Sequence, residues 1–158
     1  MAHLTHSLYI EAPVAVVDTI VRNPRQWPNF WVGMSDPERI DGDGGPGTEV
    51  AFTQLMLGVH LHEIDRTIEE RHDPDGSTHW RWEFEGTTSG SLVCHHRPVG
   101  EGTQITTEFD YTMPGSVLGK VADRLVIERM QRRDFQHSLE NLKLLAEAQV
   151  TAVQEVPA

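Results

Sequence analysis

Polar side chains with acid, base or anchoring chemistry interrupt several apolar runs of this chain. His6 stands among Leu4, Leu8 and Ile10, Arg66 lies between Ile64 and Ile68, and His96 follows Leu92 and Cys94 at alternate positions. Glu128 and Arg132 sit four residues apart in a run with helical periodicity, acid first, the favoured order for an ion pair along a helix. An imidazole can give or take a proton near neutral pH, and a guanidinium can hold a carboxylate or an oxyanion. A buried charge without a partner costs several kcal/mol, so Arg66 needs a carboxylate or water in a cavity. For any one of these residues a satisfied core histidine or a rim ion pair is the plainer alternative.

A second pattern is aromatic. Trp80, Trp82 and Phe84 alternate with His79, Arg81, Glu83 and Glu85, and Phe109 and Tyr111 share one face of a later strand. Such a face is either a dry sheet core or the wall of a ligand pocket, and pockets are lined mainly by apolar and aromatic side chains. The indoles and the phenol carry polar tips that need partners when buried, which favours the pocket. With Leu125 from the helical run, these residues are the expected lining.

Other chemistries find little support. His60 and His62 would place two imidazoles on one strand face, but no third ligand has suitable spacing, so no metal site is expected. There is no H-E-x-x-H, no C-x-x-C and no G-x-S-x-G, and the glycine-rich stretch at 42 to 47 lacks the phosphate-loop pattern. The single cysteine, Cys94, has no patterned nucleophile partner and cannot form an internal disulfide. No cofactor is implied.

Composition narrows the partners. In 158 residues there are 24 acidic against 13 basic side chains, a net charge of -11. Such a chain repels phosphate backbones and anionic membranes, so nucleic acid is not an expected partner. No apolar stretch approaches membrane-spanning length, and the first residues lack a signal-peptide pattern. The expectation is a cytoplasmic protein, monomer or homodimer, without membrane insertion.

The elements that must hold these side chains read as follows. A strand at Leu4 to Ile10 precedes a short helix opened by Pro13 and closed before Pro24, and Trp27-Pro28-Asn29-Phe30-Trp31 forms a helical turn or loop. Between Val32 and Pro114 nearly everything alternates with period two, giving six or seven antiparallel strands in all. From Gly115 to Gln149 runs one long helix, capped near Ser116. Leu118, Val121, Ala122 and Leu125 form one apolar face and Phe135, Leu139, Leu142 and Ala146 another, with the buried track passing through Glu128 and Arg132. One domain is expected over residues 1–149, with a frayed tail over 150–158.

This layout resembles the START and Bet v1-like superfamily, especially its bacterial polyketide cyclase/dehydrase branch. The matching stretches are Ser7 to Pro13 followed by a short helix, Trp27-Pro28-x-x-Trp31, the Gly-Pro-Gly turn at 45 to 47, Gly102 to Thr106 entering the last strand, and Leu139 to Glu147. The resemblance implies an α+β helix-grip fold, a curved sheet wrapped around one long C-terminal helix, and a hollow interior. Relatives of this shape include lipid carriers, hormone receptors, cyclases and co-chaperone domains, so fold alone does not choose the function. The expectation is an intracellular protein that encloses a hydrophobic or aromatic small molecule. If it is an enzyme, the resemblance implies cyclisation or dehydration of a polyketide-like substrate. His96 would then be acid/base, Tyr111 hydrogen-bond donor and Arg66 anchor, with His6, Trp80, Trp82, Phe84, Phe109, Leu125, Glu128 and Arg132 on the ligand. A non-catalytic carrier or sensor needs the same hollow without arranged proton transfer, and a protein-interaction module would have a filled core and an exposed apolar patch.

Overall fold

A computed structural model describes residues 1–115 and 124–155. The first strand, β1 (Ala2–Ile10), ends shortly before Pro13, whose fixed φ opens α1 (Val14–Arg22). The helix buries Val17, Ile20 and Val21 and leaves its other side in solvent. A 3-10 helix follows at Pro24–Asn29, its first turn capped by the Asn23 side chain accepting from the Arg25 N–H at 3.1 Å. Trp27 folds back from it and donates its indole N–H to the Val21 carbonyl at 2.8 Å.

The strands β2 (Arg39–Asp41), β3 (Glu49–Met56), β4 (Val59–His72), β5 (Thr78–Gly86), β6 (Ser89–Val99) and β7 (Gly102–Thr112) complete the sheet. All seven strands are antiparallel in the order β1-β7-β6-β5-β4-β3-β2. The last described element, α2 (Arg124–Glu155), lies along the sheet and runs past Gln149, where sequence periodicity placed its end. Its expected cap at Ser116 and the stripe residues Leu118, Val121 and Ala122 lie outside the described residues. The architecture is the expected α+β helix-grip: an open curved sheet and one long C-terminal helix.

Sheet and helix share a core of Ile10, Trp80, Trp82 and Ile105 with Phe135, Leu139, Leu142 and Ala146. Phe135 stacks between Phe109 and Trp31, with ring centroids 5.4 and 6.3 Å away. Ser138 accepts the Val32 N–H at 3.0 Å, and Asn141 donates to the Phe30 carbonyl at 3.3 Å, which fastens α2 to the segment after the 3-10 helix.

Two details of register correct the sequence reading. The strand β4 pairs with β5 as Glu69 with Arg81 and then as Thr67 with Trp82, so Ile68 is an extra residue, a β-bulge. Every residue before it is turned to the opposite face. Leu61, Glu63, Asp65 and Thr67 therefore face inward beside Trp82 and Phe84, whereas Arg66 faces outward and pairs with Glu49 at 2.6 Å and Glu85 at 2.8 Å. On α2 the buried track runs back from Phe135 through Gln131 to Ile127. It misses Glu128, which pairs with Arg124 at 3.0 Å, and Arg132, which is exposed. Leu125 is 59% exposed.

Candidate functional site

Between the inner face of the sheet and α2 lies a cavity of about 170 Å³. Phe52, Leu61, Trp82, Phe84, Phe109 and Ile105 form its sheet wall, Trp27, Phe30 and Trp31 close one side, and Phe135, Leu139 and Leu142 come from the helix. Of the residues singled out by sequence, it gathers His96, Tyr111, Trp82, Phe84 and Phe109. Trp80 lies behind the wall, stacked on Trp82 at 5.4 Å, and His6 is half-buried on β1 away from the cavity. Arg66, Leu125, Glu128 and Arg132 do not border it, for the reasons of register and helical phase given above.

His96 is held by a residue that the sequence reading overlooked. Asp18, on the flank of α1, accepts three hydrogen bonds at its Oδ1: from Thr78 Oγ1 at 2.9 Å, Trp80 Nε1 at 3.1 Å and His96 Nδ1 at 2.7 Å. The network assigns the ring proton to Nδ1, because a carboxylate already holding two donors calls for a third. The imidazole Nε2 is then a lone-pair acceptor, and it is buried without a partner among the described residues. This is an oriented base, built by packing α1 across β5 and β6. Asp18 was invisible as a partner because it stands 78 residues from His96 in sequence.

Two inward carboxyls on β4 were hidden by the bulge. Glu63 accepts from the Thr88 N–H at 3.1 Å and from Thr88 Oγ1 at 2.6 Å. Burial raises its pKa, and those two bonds only partly offset the rise. Asp65 has no hydrogen bond or cation among the described residues, and its Oδ1 is fully covered. Desolvation pushes its pKa up to about 8.

The remaining polar tips are also unpaired. Tyr111 Oη and Trp82 Nε1 are buried without partners among the described residues, and burial raises the Tyr111 pKa, so the phenol stays protonated and able to donate. Cys94 borders the cavity with its thiol pushed up to about 12, which rules it out as a thiolate nucleophile near neutrality. Among the described residues no group of three metal-ligating side chains occurs, and His60 and His62 project outward without a third ligand.

The sequence of residues 1–147 matches the family described as polyketide cyclase / dehydrase and lipid transport. The chain belongs to that family. Its fold is that of Bet v1-like proteins. A crystal structure of the Thermus thermophilus protein TTHA0849 superposes with a TM-score of 0.73 at 17% identity, covering 93% of this chain and 98% of that one. The Zhui aromatase/cyclase from a Streptomyces species gives 0.68 at 19% identity, covering 98% and 99%. A norcoclaurine synthase from Thalictrum flavum, bound to a transition-state analogue, gives 0.60 at 17%, covering 92% and 93%. No curated protein matches this polyketide cyclase/dehydrase family member by sequence. Among its described residues no helix is long and apolar enough to cross a membrane.

Proposed function

We propose that the protein binds a hydrophobic or aromatic carbonyl compound in the cavity and performs polyketide cyclase/dehydrase-type chemistry on it inside the cell. The observation that carries this reading is the Asp18–His96 pair at the cavity wall. An imidazole held in one tautomer, with an Nε2 that has no partner among the described residues, suits proton removal. In cyclisation, Nε2 would take a proton from a carbon next to a carbonyl, and that carbon would form a bond to a second carbonyl of the same chain. In dehydration the imidazolium formed by the same proton removal would return its proton to the departing hydroxyl, which leaves as water and leaves a carbon–carbon double bond. Tyr111 would donate a hydrogen bond to a substrate oxygen, and the aromatic walls would hold a flexible chain in reactive shape. The reading requires no cofactor and no metal.

Incubation of the protein with aromatic polyketide precursors tests it. His96→Gln should keep saturable binding, read by tryptophan fluorescence, and lose turnover by at least about 100-fold, the usual worth of a general base. The family description also includes lipid transport, which favours a second reading as a carrier. Saturable binding by the wild-type protein with no turnover of any precursor would establish the carrier and remove the base assignment.

A further inference from the structure

The cavity holds a carboxyl for which the mechanism above has no use. Asp65 borders the cavity from the inner face of β4, half-buried as a residue and with its Oδ1 fully covered. Among the described residues, neither oxygen receives a hydrogen bond and no arginine or lysine lines the space. Glu63, two residues earlier on the same face, is the internal control, since Thr88 supplies it with two donors. Two carboxyls in one cavity thus differ in hydrogen bonding, one supplied with donors and one not, while burial raises the pKa of both.

We propose that Asp65 is the hydrogen-bond donor that seats a carbonyl oxygen of the ligand, and that it makes the cavity selective for neutral ketones over carboxylates and amines. This rests on the reading of the cavity as a ligand site and adds the class of ligand. An ionised carboxylate there would have no donor and no cation among the described residues, and its Oδ1 is shut off from water, so the neutral acid is the form these surroundings support. The pKa pushed up to about 8 agrees. The titratable groups facing the same space are Glu63 on β4, Cys94 and His96 on β6, Tyr111 on β7 and Asp134 on α2. None is a fixed cation, so among the described residues nothing draws Asp65 towards ionisation or welcomes an anionic ligand. A ketone oxygen is an acceptor only, and it complements a protonated carboxyl.

Four probes of one shape decide it: 2-acetylnaphthalene, 2-ethylnaphthalene, 2-naphthoate and 2-naphthylmethylamine. Each is titrated calorimetrically into the full chain and into Asp65→Asn and Asp65→Leu at pH 6.5 and 9.5. At pH 6.5 the ketone should bind the wild-type protein about tenfold tighter than the hydrocarbon, the worth of one buried hydrogen bond, and the naphthoate more weakly than either. That preference should shrink at pH 9.5 as Asp65 ionises. Asp65→Asn retains a neutral donor and should keep the preference at both pH values, whereas Asp65→Leu should bind ketone and hydrocarbon alike. Equal binding of ketone and hydrocarbon by the wild-type protein overturns the inference and leaves the ligand cavity standing. So does an amine that binds best and tightens with pH. Binding of none of the four overturns both readings together.

Discussion

Asp65 and Arg66 are neighbours in sequence, carry opposite charge and sit on opposite faces of one strand. The alternation Ile64, Arg66, Ile68 suggested that Arg66 looked inward, and counting back from the turn at Asp73 to Gly76 without a bulge would put it opposite Phe84. The bulge at Ile68 reverses that count, so the interior receives Asp65 and Glu63 while the arginine bridges Glu49 and Glu85 at the surface. The one-residue slip was not readable from hydrophobicity, because both faces of β4 carry aliphatic and charged residues in turn. His96 and Tyr111 were readable, since each continues an unbroken alternation on β6 or β7. The buried acid has a consequence for stability. Its unfolded carboxyl titrates near 3.8 and its folded one at about 8, so between these values the folded state keeps a proton that the unfolded state has lost. Stability contributed by that retained proton is full below the lower value and is lost as the pH rises through the upper one. Wild-type thermal stability should therefore fall between pH 5 and pH 8, by an amount on the order of several kcal/mol, and Asp65→Asn should flatten the profile. A wild-type profile parallel to that of the asparagine variant would place Asp65 in contact with water.

At the scale of elements, α2 shows which part of helical periodicity is dependable. Phe135, Leu139, Leu142 and Ala146 were legible as a buried face and are buried. Extending that face towards the N-terminal end by averaging with Leu125 led to Glu128 and Arg132, whereas stepping back by four from Phe135 leads to Gln131 and Ile127. The inner track thus carries a glutamine and an isoleucine where an ion pair was expected. The energetics follow from exposure. Glu128→Ala and Arg132→Ala should each change stability by no more than about 0.5 kcal/mol, with negligible coupling between them in the double mutant. Phe135→Ala, which removes a ring stacked on both Phe109 and Trp31, should cost about 3 to 5 kcal/mol. Chemical denaturation of the four variants measures both. A coupling above about 1 kcal/mol between Glu128 and Arg132 would contradict the pairing of Glu128 with Arg124.

For the whole molecule, the helix-grip layout was legible because its signals are long: period-two alternation repeated over many strands, then one extended helical run. What could not be read was how distant pieces meet, and the site depends on such meetings. Asp18 reaches His96 only because α1 crosses β5 and β6, and the cavity exists only because the 3-10 segment, the sheet and α2 enclose it. The same topology bears on how the chain acquires its structure. Strand β1 takes its sheet partner from β7, with Leu4 opposite Phe109 and Ile10 opposite Thr103, so the first strand made must wait for the last. Its neighbour at the start of the chain, α1, has its buried flank covered in part by α2, which is later still. Contacts of such separation close slowly, since loop-closure entropy is lost before they form. During synthesis the β2 to β6 meander can assemble as successive hairpins while β1 and the aromatic inner face remain uncovered. A ribosome-bound chain that has released β6 but not β7 therefore presents an unpaired strand and an open aromatic surface together, and that interval is the one in which this protein most needs protection from aggregation.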